Sequence, residues 1–353
     1  MGPRSILIIG NYGAGNLGDD AILAGILTDL KAIGYQGRLA VTHGGDSSSH
    51  ELYKGLQKVP FVPAGIRSHF SPRRKQATEA IRAADLVILG GGGLFVDTES
   101  RKAPWIWAAQ ARACRRLSTP YICYGQSVGP LKTWAGRFLT KWTFRRAKAI
   151  HVRDESSQKL LKSWGIDSTC GSDAALSWLQ QERKKIEKQP VLLVALRTWP
   201  GIDTVTWNQL LKPIQEFAKK KKWKPILLSM DARNEEERSA LRGTGLEVFE
   251  PTSAHQAFEA CQKSQLAVTM RLHAGLFALA AGLPILALSY STKVSALFES
   301  LHVSGSVTVL EQKKWSDKNL KKELEKLKTP SRFDAETPVM QSRAFLAHAL
   351  DLH

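Results

Sequence analysis

The chain has 353 residues, 43% of them hydrophobic, and a formal net charge of +18. That length suits two domains rather than a single core. The four cysteines, Cys114, Cys123, Cys170 and Cys261, are far apart and form no C-x-x-C pair, which argues against a zinc site or a disulfide framework. The longest apolar stretch, 276–288, is broken by Gly282 and Pro284 and falls short of the roughly 20 residues of a spanning helix. A strand-like run starts at Ser5 with no secretory apolar region before it. The expectation is a soluble cytoplasmic protein, with a role at the membrane surface left open.

In the first half, strand patterns at 5–9, 38–42, 86–89, 121–124 and 149–152 alternate with helical patterns that include 21–33, 76–83, 105–116 and 134–146. This is the signature of a doubly wound parallel sheet. A charged segment, 180–189, reads as a linker. The alternation then restarts: strand 191–196, helix 207–221, strand 225–230, helix 234–242, strand 246–249, helix 254–263 and strand 266–270. A small-residue helix at 274–281 and a strand at 285–288 follow. A last short strand is expected at 307–310, a solvated lysine-rich helix at 313–328 and a terminal helix at 337–353. The fold class is therefore α/β, two Rossmann-like halves with a cleft between them. The expected domains are 1–180, 190–333 and a C-terminal helical piece, 334–353, packing back on the first.

Three glycine-rich segments follow strands in the first half. Gly13 to Gly18 spells G-x-G-x-x-G between a strand and a helix, which taken alone suggests a dinucleotide site. The second strand, however, ends in His43-Gly44-Gly45, without the acid that would hold a ribose. Asn16, Asp19 and Asp20 bring polar and acidic groups to the helix start. They would repel a pyrophosphate and suit sugar hydroxyls; equally, they favour the helix N-terminus itself. Gly90 to Gly93, with Asp97 beyond, and Gly125 to Gly129 are expected as flexible loops presenting backbone N–H groups at a cleft rim.

Charge is unevenly spread: no Asp or Glu occurs from Ser100 to Arg153. Within that window Arg137, Lys141, Arg145 and Lys148 recur at helical spacing, beside Trp134, Phe138 and Trp142. Such a helix can lie on an anionic bilayer, or its aromatics can pack on the sheet. No nucleic-acid motif accompanies the charge, so no nucleic-acid partner is expected.

In the second half, the strand 266–270 runs into Arg271-Leu272-His273 at a helix start. Strand–turn–helix junctions of this kind place the turn at the carboxyl edge of a parallel sheet, where ligands bind, and helix N-termini favour anions. Arg271 and His273 supply a fixed cation and a proton-transfer group. Arg197 ends an earlier strand, Lys293 follows the next one, and Arg153 ends the last strand of the first half. No acid lies between His273 and Glu299, which argues against a ribose-bearing donor. A small donor with phosphate and carboxylate fits the cations better. No His/Cys/Asp cluster has metal-ligand spacing, so no essential metal or other cofactor is expected.

Taken in order, residues 10–21 (GNYGAGNLGDDA), 90–97, 125–130, 152–154, 171–173, Arg197 with Trp199, 270–274 and the lysine segment 290–294 resemble the polysaccharide pyruvyl transferase family, CsaB type. The likeness spans about residues 5–310. One departure is Ser291-Thr292 before Lys293, where relatives often carry Asp-Pro. The resemblance implies a glycosyltransferase-B-like fold. It also implies transfer of pyruvate from phosphoenolpyruvate to two sugar hydroxyls, with release of phosphate. On that reading His273, Arg271 and Lys293 are catalytic, and Arg153, Arg197, Arg271 and Lys293 bind the donor. Gly13, Asn16, Asp19, Gly91, Gly92 and Asp97 line the acceptor side. The acceptor is expected to be a saccharide, lipid-linked in many such pathways, which would give the basic stretch 100–153 a membrane to dock on. Two alternatives stay open: a glycosyltransferase using a nucleotide sugar, and a non-catalytic saccharide- or anion-binding protein of the same fold.

Overall fold

The computed structural model describes residues 2–45, 51–64, 71–98, 100–290, 307–328 and 335–352. The chain divides into two compact units. The first comprises Met1–Gly15, Asp19–Trp178 and Glu336–His353; the second comprises Asn16–Gly18 and Leu179–Ala335. The first unit passes to the second at Trp178–Leu179, within a helix, Ala175–Glu182, in which Leu179 is buried.

The first unit is built on seven parallel strands: β1 (Ser5–Ile9), β2 (Arg38–Thr42), β3 (Gln57–Val59), β4 (Leu86–Phe95), β5 (Tyr121–Val128), β6 (Ile150–Val152) and β7 (Thr169–Cys170). They lie in the order β3-β2-β1-β4-β5-β6-β7. The connecting helices are α1 (Leu17–Ala32), α2 (Pro72–Ala83), α3 (Ala103–Arg116), α4 (Trp134–Phe144) and α5 (Glu155–Ser163), with α6 (Ala175–Glu182) after β7. The inner strands read as continuous apolar runs because helices cover both faces of the sheet. Ile6, Leu7, Ile8 and Ile9 of β1 are all buried. Strands β3 and β7, three and two residues long, are too short to show a period in sequence.

Two expected loops are strand instead. Gly90 to Gly93 lie inside β4, and Gly125 to Val128 inside β5; Gly92 pairs with Gln126 and Phe95 with Val128. The reason is close packing by α1. A Cβ on Gly91 would stand 2.5 Å from Ile22 Cγ2. Gly92 has φ +92°, a backbone that other residues rarely adopt, at the register shift between Gly92 and Phe95. The glycines let a helix lie directly on the sheet; they do not form a loose rim.

The second unit carries β8 (Val191–Ala195), β9 (Lys224–Leu228), β10 (Glu247–Phe249), β11 (Leu266–Thr269), β12 (Ile285–Ser289) and β13 (Val307–Glu311). All pair in parallel, in the order β10-β9-β8-β11-β12-β13. Its helices are α7 (Thr204–Lys221), α8 (Glu235–Arg242), α9 (Ala254–Lys263), α10 (Leu272–Ala280) and α11 (Asp317–Lys326). Trp207, Ile214, Val194, Val268 and Leu286 are among its fully buried side chains.

The terminal helix α12 (Glu336–Ala349) belongs to the first unit. Arg343 Nε donates to buried Asp29 at 2.9 Å, and Ser342 Oγ accepts from Ser172 N at 3.0 Å. Phe345 lies against Tyr124 and His151. His151 is buried, with Nδ1 accepting from Gly125 N at 3.1 Å. A proton on Nδ1 would face that N–H head on, and burial pushes the imidazole pKa down to about 3. The folded state therefore binds its proton less readily than the unfolded chain, whose histidine titrates near the usual ~6.5. The stability that neutral His151 contributes is complete above that value. It is lost as pH falls towards 3, at up to about 1.4 kcal/mol per pH unit. Urea unfolding followed from pH 7 to 4 should show this slope, and His151→Phe, with nothing to titrate, should flatten it.

Candidate active site

Each unit places its first strand inside the sheet, so strands are added first to one side and then to the other. That switch falls between β1 and β4 in the first unit and between β8 and β11 in the second. Ligands of open parallel sheets bind outside the carboxyl ends of strands at such a point. The sequence-predicted residues divide between the two switch points.

In the first unit, Asn11 and Gly13 follow β1. Asn11 Nδ2 donates to Asp19 Oδ2 at 2.8 Å, and a Cβ on Gly92 would lie 3.9 Å from Asp19 Oδ1. Asp19 is half-buried and lies beside Gly92 of β4. Asp20 is buried and braces the loop, accepting from Gly13 N at 3.0 Å and from Tyr53 Oη at 2.6 Å. The field here is negative. The buried Tyr12 phenol is held well above its ordinary pKa, first by desolvation and then by Asp19, Asp173 and Asp20. A field of this sign suits hydroxyl donors and repels phosphates.

Two further expected residues are held by contacts within the first unit. Arg153, also in the first unit, is buried and ion-paired with Asp173 at 2.5 Å, while its Nε donates to Ser127 Oγ at 2.6 Å. Asp97 accepts from Lys132 N at 2.6 Å, from Thr133 N at 2.7 Å and from Thr133 Oγ1 at 2.6 Å. Burial opposes its ionisation, yet the Thr133 hydroxyl and the backbone N–H groups outweigh it and hold the carboxyl below its ordinary pKa. Asp97 ties the β4–α3 connection to the start of α4.

In the second unit, Thr269 of β11 pairs with Ala195 of β8. Two residues beyond that pair stand Arg271 and Arg197, at adjoining strand ends. Thr269 Oγ1 accepts from Arg271 N at 2.9 Å and donates to Arg271 O at 2.8 Å, shaping the turn. Arg271 is the N-cap residue of α10, which places His273 in the first helical turn. Arg197 Nη1 donates to Tyr290 Oη at 2.9 Å, and its guanidinium lies over the Trp199 and Tyr290 rings at 5.2 and 5.8 Å. Tyr290 follows β12. Three neighbouring strands, β8, β11 and β12, thus end in Arg197, Arg271 and Tyr290. Lys293 lies outside the described residues. Asn16 caps its own turn, its Oδ1 accepting from Gly18 N at 3.1 Å. It belongs to the second unit, where Leu17 N donates to Met230 O at 3.0 Å and Gly18 packs on the His273 imidazole.

The sequence did not single out Glu237. This buried carboxylate forms an ion pair with Arg271 Nη2 and accepts from Thr198 N at 2.9 Å and Thr198 Oγ1 at 3.3 Å. Arg271 Nε also donates to Leu196 O at 3.2 Å. Glu237 thereby fixes the guanidinium while cancelling part of its charge. In sequence, Asn234 and Glu237 have the spacing of a capping box, and Asn234 does cap α8 by accepting from Glu237 N. The available signal was phase: Glu237 shares a helix face with Leu241, and both are buried.

Among the described residues, no three His, Cys, Asp or Glu side chains are grouped to hold a metal ion, and no helix is long and apolar enough to cross a membrane.

Two seven- and six-stranded parallel sheets with these crossovers define an α/β protein of the glycosyltransferase-B-like kind. Over its whole length the fold matches UDP-N-acetylglucosamine 2-epimerases. The Methanocaldococcus jannaschii enzyme is 14% identical, with 99% of each chain covered and a TM-score of 0.64. The Neisseria meningitidis enzyme bound to UDP-GlcNAc is 14% identical, covering 99% of this chain and 100% of that one, with a TM-score of 0.61. The Staphylococcus aureus MnaA–UDP structure is 11% identical, covering 99% and 98%, with a TM-score of 0.67. These likenesses establish the fold alone. No curated protein sequence matches the chain. The family model for polysaccharide pyruvyl transferase matches residues 16–292, and the chain belongs to that family. It is a transferase, and its family moves pyruvyl groups onto polysaccharide.

Removing one partner of a buried ion pair strands the other charge. Glu237→Ala should therefore lower stability by about 3–5 kcal/mol in urea unfolding. Replacing both partners, as Glu237→Leu with Arg271→Met, should cost much less than the two single changes added together.

Proposed function

We propose that this protein transfers pyruvate from phosphoenolpyruvate to two hydroxyls of one saccharide, forming a cyclic ketal and releasing inorganic phosphate. The observation that carries the reading is the pair of adjoining strand ends bearing Arg197 and Arg271, with His273 in the first turn of α10. α10 has no acid in its first turn, so it offers no carboxylate to a nucleotide ribose there.

In this scheme Arg271 and Lys293 bind the donor phosphate and carboxylate and stabilise the departing phosphate. Arg197, oriented by Trp199 and Tyr290, supports them. Asn16, Asp19 and the backbone at Gly13, Gly91 and Gly92 serve the acceptor, in keeping with the negative field at Tyr12. Arg153 and Asp97, spent on Asp173 and Thr133, are left out of the ligand set. Protonation of the donor methylene carbon turns it into a methyl group and makes the neighbouring carbon electrophilic. Two acceptor oxygens bond to that carbon, the C–O bond to phosphate breaks, and of the two hydroxyl protons one balances the methyl group and the other leaves with phosphate. His273 is the proton-transfer group. No metal or other cofactor enters the scheme. The acceptor is a lipid-linked saccharide at the cytosolic membrane face, which accounts for the acid-free stretch 100–153.

His273→Ala should leave phosphoenolpyruvate affinity nearly unchanged and cut turnover by roughly 10²–10⁴-fold, the usual worth of a positioned acid or base. Phosphate release with a saccharide acceptor measures the turnover, and calorimetric titration measures the affinity. Normal turnover in that variant would remove His273 from its role. Tight binding of UDP-GlcNAc with none of phosphoenolpyruvate would replace the whole reading by a nucleotide-sugar one.

A further inference from the structure

The acid-free window looks different once folded. Its C-terminal half is spent on the protein itself. Arg145 donates to Trp164 O, Lys148 binds Ala349 O and Asp351, and Trp142 packs on the core under Arg146. The aromatic stripe of Trp134, Phe138 and Trp142 expected from spacing is therefore not one exposed stripe.

Another apolar surface takes its place, drawn from two helices. Trp134 is 80% exposed and Phe138 55%, their rings stacked at 5.7 Å. Trp105 is 54% exposed and Ile106 37%. Trp134 opens α4, and Trp105 lies in the first turn of α3. Asp97 holds these two helix starts together. It precedes α3 by a short connection and accepts from both backbone N–H groups that lead into α4. α3 and α4 also pack on each other. The surface is thus braced by a buried carboxylate. Arg101, Lys102, Lys132 and Arg137 are exposed beside it.

We propose that this α3–α4 surface inserts Trp134, Phe138, Trp105 and Ile106 into the interface of an anionic lipid bilayer, with the adjacent Arg and Lys side chains on its headgroups. Large aromatics flanked by cations, with no acid in the segment, match a surface that is apolar within and negative at its rim. A soluble anionic polymer would use the cations but leave four large apolar side chains in water. A second copy of the chain would bring the same basic patch against itself, a like-charge contact that is penalised. This proposal names the face that meets the membrane in the reading of a lipid-linked acceptor and rests on that reading for its purpose. Vesicle binding is read without substrate, so the two fail separately.

Sedimentation with vesicles of phosphatidylglycerol and phosphatidylcholine reads the binding. Wild-type protein should bind these and not vesicles of phosphatidylcholine alone, with affinity falling as salt rises. Trp134→Ser with Phe138→Ser, both at exposed positions, should weaken binding about tenfold or more. Arg101→Glu with Lys102→Glu should weaken it and reduce its salt dependence. Circular dichroism and phosphate release with a soluble acceptor should be unchanged in both variants. Equal binding by the Ser variant, equal binding to uncharged vesicles, or no binding by the wild type would overturn the proposal. An oligomer in sedimentation velocity that the Ser variant disperses would instead assign the surface to a second copy of the chain.

Discussion

Parallel strands must be joined by crossovers of one hand, and a strand placed inside a sheet forces those crossovers to change direction once. Everything chemical in this protein follows from that constraint, applied twice. β1 and β8 are interior strands, and each is flanked by the strand at which the sheet reverses. At those two points helices leave in opposite directions and the carboxyl ends stand uncovered. The first receives Asn11, Asp19 and the glycines of β4; the second receives Arg197 and Arg271. The units share a topology and differ in sign, acidic at one switch point and cationic at the other.

The cationic point is held by a buried acid. Arg271 is long and flexible, and ordering it for a ligand costs side-chain entropy. Glu237 removes that cost in advance by pairing with the guanidinium and by fixing Thr198 beside it. The compensation has an electrostatic consequence. An arginine already paired offers less net charge to a donor, so a multiply charged ligand needs further cations. Arg197 is also held by a different device, the Trp199 and Tyr290 ring faces and the Tyr290 hydroxyl.

Much of the architecture was legible from the chain. Inner strands such as β1, β8 and β11 are apolar runs bounded by turn residues, and the period of α7 or α9 is helical throughout. The misreadings share a cause. Gly90 to Gly93 look like a loop because glycine has weak strand preference; only the pressure of Ile22 from α1 makes their lack of a side chain a packing requirement. β3 and β7 exist because neighbouring strands offer edges to pair with, which no local pattern records. The contacts that hold Arg153 and Asp97 are equally invisible to a local pattern. Their partners, Asp173 and Thr133, lie 20 and 36 residues away in sequence.

The sequence by itself determined the family and the two-part α/β plan, because these rest on ordered local motifs and on periodicities of 2 and 3.6 residues. Tertiary structure alone decided which charges are available. A carboxylate's field and a guanidinium's partners depend on distances across the fold. Glu237 entered the site, Arg153 was spent on Asp173, and Asp97 became the tie beneath an exposed aromatic surface, all through contacts between segments remote along the chain.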